Sequence, residues 1–315
     1  MNGRQEKDMK IETRIRKKLT KYPEILTEYY YSLSNKTATT KDAYIKYIIK
    51  FLDYCNGDYI NVSMTDLNRY ADHIKYKTDN KGGVKENSTS MRRTTFFAIS
   101  NFYSFLVKKG DIHTNPCDNI ELPKLKDEIK VVSLNPSEIN FVKNNIANCS
   151  QGDEWKSRDM ALISLGISTG LRVSALVNIN MRDIDFDNNT IMVTEKGDVR
   201  REVYFGNKTK DILEDWIYHR TEIDPDTDAL FISQYRKRLS IESVRKCVAK
   251  YTKGLDKHIT PHKLRSTCGR NLYQKTHDIY LVQQVLGHRN IENTRRYTDV
   301  SSEEKRAAAD ILDSL

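Results

Sequence analysis

No stretch of the 315-residue sequence approaches the roughly 20 consecutive apolar residues that a membrane helix requires. The first ten residues, MNGRQEKDMK, hold no apolar segment of the kind a secretory signal needs. These absences point to the cytoplasm, on the nucleoid, and to no membrane partner. Cysteine is scarce too: Cys55, Cys117, Cys149, Cys247 and Cys268 are odd in number, and no C-x-x-C pair occurs. That excludes a disulfide framework and a zinc ribbon, and it fits small buried hydrophobes in a reducing compartment. His262, His277 and His288 could be imagined on zinc, but no Cys or carboxylate stands at ligand spacing to complete such a site. No metal and no cofactor are expected. No internal repeat or low-complexity tract is present.

What the chain has is charge. Charged residues make up 30% and hydrophobic ones 38%, a balance that suits a globular protein with a wet surface, long enough for two ordinary domains. The net charge of +9 is unevenly spread. Residues 1–130 hold 24 Lys+Arg against 17 Asp+Glu, and residues 131–315 hold 28 against 26. A basic front part joined to a near-neutral back part suggests a polyanion-gripping module attached to one with another task.

Residues 1–20 read as a polar arm or an early helix. Residues 21–113 are helical in pattern, a four- or five-helix bundle. Tyr44, Tyr47, Ile48, Phe51 and Leu52 form one apolar stripe. Ser63 to Asp66 resembles a capping box, Lys77–Ser90 is a polar loop, and Met91–Lys109 is a helix with Phe96, Phe97, Phe102, Phe105 and Leu106 toward the core. Lys46, Lys50, Arg92, Arg93, Lys108 and Lys109 lie along these helices as candidate DNA-binding cations. Two prolines in residues 114–131 predict an extended linker. In residues 132–315, Asn135 to Glu138 starts a helix and Met160–Ile167 is a buried one. Ser168–Ser174 turns into another helix. Arg182–Phe186, Thr190–Thr194 and Val199–Phe205 form a three-stranded antiparallel meander. Further helices cover Thr209–His219 and Ser240–Tyr251, and a final amphipathic helix spans residues 301–315. The fold class is mainly α, with a small antiparallel sheet in the second domain.

The chemistry concentrates between Thr260 and Val300. Thr260 reads as an N-cap with Pro261 at the first helical position. His262 and Arg265 are three apart and share a helix face. Gly287 ends a second short helix just before His288, and Tyr297 follows in TRRYT. Histidines, arginines and a tyrosine without a close carboxylate pair do not suit metal-assisted hydrolysis. They suit phosphoryl transfer, in which a phenolic oxygen attacks and cations hold the phosphate. Arginine's planar fork can hold two phosphate oxygens at once, and Arg172, after the Gly170 turn, is the second candidate beside Arg265. A free phenol of pKa ~10 is only about 0.1% ionised at neutral pH, so Tyr297 needs nearby cations and a proton acceptor. His262 and His288 can fill that role.

HKLR, LGH and TRRYT together resemble the tyrosine recombinase (phage integrase) family, whose signature is H-x-x-R, then G-H, then a nucleophilic Tyr. The resemblance covers roughly residues 20–310. It implies an N-terminal helical core-binding domain and a C-terminal catalytic domain clamped around double-stranded DNA carrying a paired recombination site. It also implies Arg172, Lys196, His262, Arg265, His288 and Tyr297 as catalytic residues, with the hairpin Lys196 as the acid for the departing 5′ oxygen. A 3′-phosphotyrosine intermediate, no need for ATP or a metal, and a homo-tetramer docked through the C-terminal helix follow from the same likeness. The short segment before residue 20 favours a compact, Xer-like or simple integrase layout. One position departs from the pattern: Ala175 stands three residues after Arg172, where the family often carries Glu or Asp. A type IB topoisomerase-like relaxing activity shares the attack chemistry. A catalytically decayed DNA-binding protein is the reading that Ala175 supports.

Overall fold

The computed structural model describes residues 3–78, 82–122, 131–195, 199–288, 290–298 and 306. The chain divides into two compact units, Met1–Asp127 and Glu128–Leu315. Among the described residues no helix is long and apolar enough to cross a membrane.

The first unit is built from α1 (Gly3–Leu19), α2 (Glu24–Ser32), α3 (Ala38–Tyr54) and α4 (Met64–His73). A hairpin of β1 (Tyr76–Thr78) and β2 (Val84–Glu86) follows, then α5 (Thr89–Lys109). The stripe on α3 does what its spacing predicts: Ile48, Phe51 and Leu52 are buried. Ser63 and Asp66 form a reciprocal capping box that satisfies two amides left open at the start of α4. α5 opens on Ser88, whose side chain accepts from Met91 N, and closes on Gly110 in the left-handed region.

Of the two readings of residues 1–20 the early helix is the one observed, with Ile15 and Leu19 of α1 buried in the bundle core. Three expectations for this unit change. The polar loop of 77–90 contains the short β1–β2 hairpin. Its strands are exposed throughout, so no apolar alternation announces them. Phe97 is 52% exposed, because Phe96 takes the core position and the next helical residue turns about 100° away. The stretch 114–122 packs on the bundle through Cys117, Ile120 and Leu122. Asn115 anchors it by donating to Ser100 O and Ser104 Oγ, so the start of the expected linker is bound.

The second unit centres on α7 (Asp153–Thr169), preceded by α6 (Pro136–Ala147), which starts with the expected Asn135/Glu138 capping box. Residues 161–166 of α7 are buried consecutively, the mark of a helix covered on all sides. α8 (Val173–Asn178) and the strands β3 (Ile184–Asp185), β4 (Thr190–Thr194) and β5 (Arg200–Tyr204) follow, in antiparallel order β3-β4-β5. Strand β3 is shorter than expected, because Met181–Asp183 forms a 3-10 turn held by an Asn180/Asp183 capping box. The unit is completed by α9 (Asn207–Ile223), α10 (Ile241–Tyr251), α11 (Pro261–Thr276), α12 (Ile279–Leu286) and α13 (Glu292–Arg295). α7 packs against α6, α8, α9 and α11. Apart from Arg306, the residues of the helix expected over 301–315 lie outside the described residues.

Trp216 on α9 is fully buried and donates from Nε1 to Leu230 O at 2.9 Å. Trp216→Ala is expected to lower stability by about 3–5 kcal/mol, read as the shift of the urea midpoint at unchanged slope.

Candidate active site

Arg265 is 2% exposed. Its Nη1 donates to Gly170 O at 2.8 Å and its Nη2 to Leu286 O at 2.6 Å. Both acceptors lie where a helix stops: Gly170 caps α7, and Leu286 is the last residue of α12. Such ends leave carbonyls without intrahelical partners and carry partial negative charge. Both acceptors are therefore neutral groups. Burial pushes its pKa down to about 10, with Arg172 acting the same way, so it remains charged at neutral pH. Gly170 permits this convergence. Its φ is +62°, and a Cβ there would lie 2.4 Å from Leu286 Cδ2.

Arg172 follows the Gly170 turn as the N-cap residue of α8. Its side chain is 39% exposed and donates from Nη1 to Glu195 Oε2. The other oxygen of Glu195 accepts from Nε and Nη2 of Arg201, each at 3.2 Å. Arg201 Nη1 in turn donates to Val285 O. The hairpin and α12 are thus tied together through this pair. Neither Glu195 nor Arg201 was anticipated as part of the site. The available signal was strand alternation: Arg201 shares the inward face of β5 with buried Val203, and a charge on such a face calls for a partner.

Tyr297 is 3% exposed and packs with Cys268, Val282 and Leu286. A Cβ on Gly269 of α11 would come within 2.9 Å of both Tyr297 Cε2 and Leu286 Cδ1, so the absent side chain makes room for the phenol. His288 stacks against Tyr297, with centroids 6.4 Å apart and planes at 11°. Buried Thr294 holds both: its Oγ1 shares a hydrogen bond of 2.8 Å with His288 Nδ1, and its carbonyl accepts Tyr297 N at 2.9 Å. Burial, then Arg265 and Arg172, push the His288 pKa down to about 4. His262 is exposed. Desolvation by its packed side, then Arg265, Arg296, Lys263 and Arg172, hold its imidazole below 6.5. Both rings are neutral at pH 7.

Five of the six residues expected to be catalytic, Arg172, His262, Arg265, His288 and Tyr297, thus sit in one electrostatically coupled cluster. The sixth, Lys196, lies outside the described residues. Thr260, expected to cap α11, makes no side-chain cap hydrogen bond. His277 stands at the opposite end of that helix from His262, so the imagined zinc trio is not assembled. Among the described residues no group of three or more His, Cys, Asp or Glu is placed to hold a metal ion.

In the first unit, Lys46 and Lys50 are exposed one turn apart on α3, and Lys108 is exposed near the end of α5. Lys109 pairs with Glu28 at 2.5 Å and with Asp111 at 3.5 Å. Arg92 reaches Glu86 at 3.8 Å, and Arg93 lies over the Phe97 ring at 5.7 Å. Lys46, Lys50 and Lys108 therefore present solvent-facing charge, whereas Arg92 and Lys109 are already engaged.

The model of the phage integrase family matches residues 134–304. A tyrosine recombinase XerC of Haemophilus influenzae (strain PittEE) is 31% identical over 225 residues, 70% of this chain and 73% of its own. A tyrosine recombinase XerC of Leptospira interrogans is 29% identical over 277 residues, 85% of each chain. Among solved structures, the XerH site-specific recombinase in a post-cleavage complex with palindromic difH substrate aligns with a TM-score of 0.73 at 22% identity, over 91% of this chain and 84% of its own. The Tn1549 transposon integrase bound to transposon right end DNA aligns with a TM-score of 0.71 at 21% identity, over 92% and 98%.

Two outcomes follow from this geometry. Gly170→Ala should cost about 2–5 kcal/mol, from left-handed backbone strain plus overpacking against Leu286, measured by urea unfolding. The depressed His288 means that the folded, DNA-free chain binds fewer protons than the unfolded chain between about pH 6.5 and 4. Its contribution to stability is thus present above pH 6.5 and is lost as pH falls toward 4. Unfolding at pH 7 and pH 5 should show a larger loss for the wild type than for His288→Gln; equal losses would contradict the assignment.

Proposed function

The chain belongs to the phage integrase family of tyrosine recombinases, and on that premise we propose that it cuts and rejoins DNA at specific sites with Tyr297 as the nucleophile. Arg172 and Arg265 hold the non-bridging oxygens of the scissile phosphate, where charge grows in the transition state. The phenolic oxygen of Tyr297 attacks phosphorus while the bond from phosphorus to the 5′ oxygen breaks. The phenolic proton passes to a neutral imidazole, His262 or His288. The departing 5′ oxygen takes a proton from Lys196. A 3′-phosphotyrosine diester and a free 5′ hydroxyl result. The 5′ hydroxyl of a partner strand then attacks the same phosphorus and releases Tyr297. One phosphoester bond forms for each that breaks, so no external energy source is required.

Lys46, Lys50, Arg92, Arg93, Lys108 and Lys109 of the first unit supply contacts to the DNA backbone, Arg92 and Lys109 by exchanging their carboxylate partners for phosphate, which makes binding salt-sensitive. Four copies act on two paired sites, docked through residues 301–315, and the protein works on the nucleoid. The reading is carried by one observation: two guanidiniums, two imidazoles and a tyrosine from four separate stretches of sequence converge in a single electropositive cluster.

The test begins with duplexes tiled across the DNA adjoining the gene, to find the bound site. A version nicked near the cleavage position should then trap an SDS-resistant covalent adduct. Tyr297→Phe should abolish the adduct and leave binding intact. An adduct that survives the substitution rejects the role of Tyr297. Relaxation of any supercoiled plasmid, with no site required, would point to topoisomerase-like action instead. Salt-sensitive binding with no wild-type adduct would point to a decayed site.

A further inference from the structure

Arg265 and Arg172 are held in different ways. Arg265 is buried and fixed by two backbone carbonyls. Arg172 is more than a third exposed, and among the described residues Glu195 is the hydrogen-bond partner of its side chain. An exposed arginine retains much rotamer freedom, which must be given up whenever it grips a ligand. Ala175, one turn along α8, is 4% exposed and has no polar group with which to steady it.

Glu195 is built in rather than loosely placed. Its side chain is 11% exposed. One oxygen takes Arg172 Nη1 and the other takes Nε and Nη2 of Arg201. Arg201 is itself anchored to Val285 O at 3.2 Å. The backbone of Glu195 is fixed as well, its N–H donating to Val199 O at 2.9 Å across the base of the hairpin turn. The contact engages only Nη1 of Arg172, so the Nε and Nη2 edge remains to face a phosphate. Charge favours the same arrangement. Among the described residues, Arg172, Arg201 and Arg265 bring three positive charges around the Glu195 carboxylate, which relieves their mutual repulsion and leaves the cluster positive.

We propose that Glu195 is a positioning residue for DNA cleavage: braced by Arg201, it pre-orients Arg172 so that its free edge meets the scissile phosphate. The proposal rests on the role given to Arg172 above. It assigns to the β4–β5 hairpin the carboxylate that position 175 lacks.

The full-length chain and the nicked site-bearing duplex provide the test, with Glu195→Gln, Glu195→Asp, Arg201→Gln, Arg172→Ala and Tyr297→Phe compared. Glu195→Gln keeps the shape and removes the charge. Its adduct-forming rate at saturating DNA should fall about tenfold or more, while half-saturation by DNA and the urea midpoint stay close to wild type. Glu195→Asp should recover part of the rate. Arg201→Gln, which removes the brace and leaves Glu195 intact, should lower the rate in the same direction and reads the contact even if Glu195→Gln folds poorly. A wild-type rate in both Glu195→Gln and Arg201→Gln overturns the proposal. So does tighter DNA binding or a faster rate in Glu195→Gln, which would make the carboxylate a placeholder in the phosphate seat. Adduct formation surviving in Arg172→Ala or Tyr297→Phe would instead overturn the parent reading.

Discussion

A guanidinium buried at 2% exposure, with two helix ends as its partners, is the constraint around which the second unit is arranged. Burying a charge is costly unless it is hydrogen-bonded. Arg265 meets that demand with Gly170 O and Leu286 O, and in doing so requires α7, α11 and α12 to meet at one point. The glycines follow from the meeting. Gly170 has room for no Cβ because Leu286 comes so close, and Gly269 has little because Leu286 and Tyr297 lie over it. Neutral partners also leave Arg265 its full charge. A carboxylate in their place would have cancelled what a phosphate is to be offered.

The remaining groups extend that charge without neutralising it. Glu195 is shared between Arg172 and Arg201, so one negative charge steadies two positive ones. Burial, with the neighbouring cations acting the same way, lowers the pKa of His288 and His262 and favours the neutral form, which is the form able to take a proton. Thr294 joins His288 to the turn that carries Tyr297. These links come from how the hairpin, the helix ends and the last turn meet rather than from a local motif: Glu195 reaches Arg172 23 residues away and Arg201 across the hairpin, and Thr294 reaches back six residues to His288.

What could be read in the chain, and what could not, divides along that line. His262 with Arg265, Gly287 with His288, and the Gly170 turn before Arg172 are local patterns whose spacing alone states a geometry. The meander was legible because β4 and β5 alternate and the turns between strands are polar. Glu195 and Arg201 gained their meaning only from strand register and the approach of α12. Thr294 looked like any threonine until its neighbours were in place. Phe97 and the β1–β2 hairpin were misread because one residue step on a helix, or a wholly exposed strand, changes nothing in composition. Lys196 and, apart from Arg306, the helix expected over 301–315 lie outside the described residues.

The most direct measurement is identification of the atom that becomes joined to DNA. The wild-type adduct should be trapped on nicked site DNA, digested with nuclease and protease, and the nucleotide-bearing peptide sequenced by mass spectrometry. The modified residue should be Tyr297, in the peptide containing Thr294-Arg295-Arg296, linked through a 3′ phosphate. A nucleotide on any other residue, or a 5′ linkage to Tyr297, would contradict a nucleophile placed among Arg172, Arg265 and the two histidines.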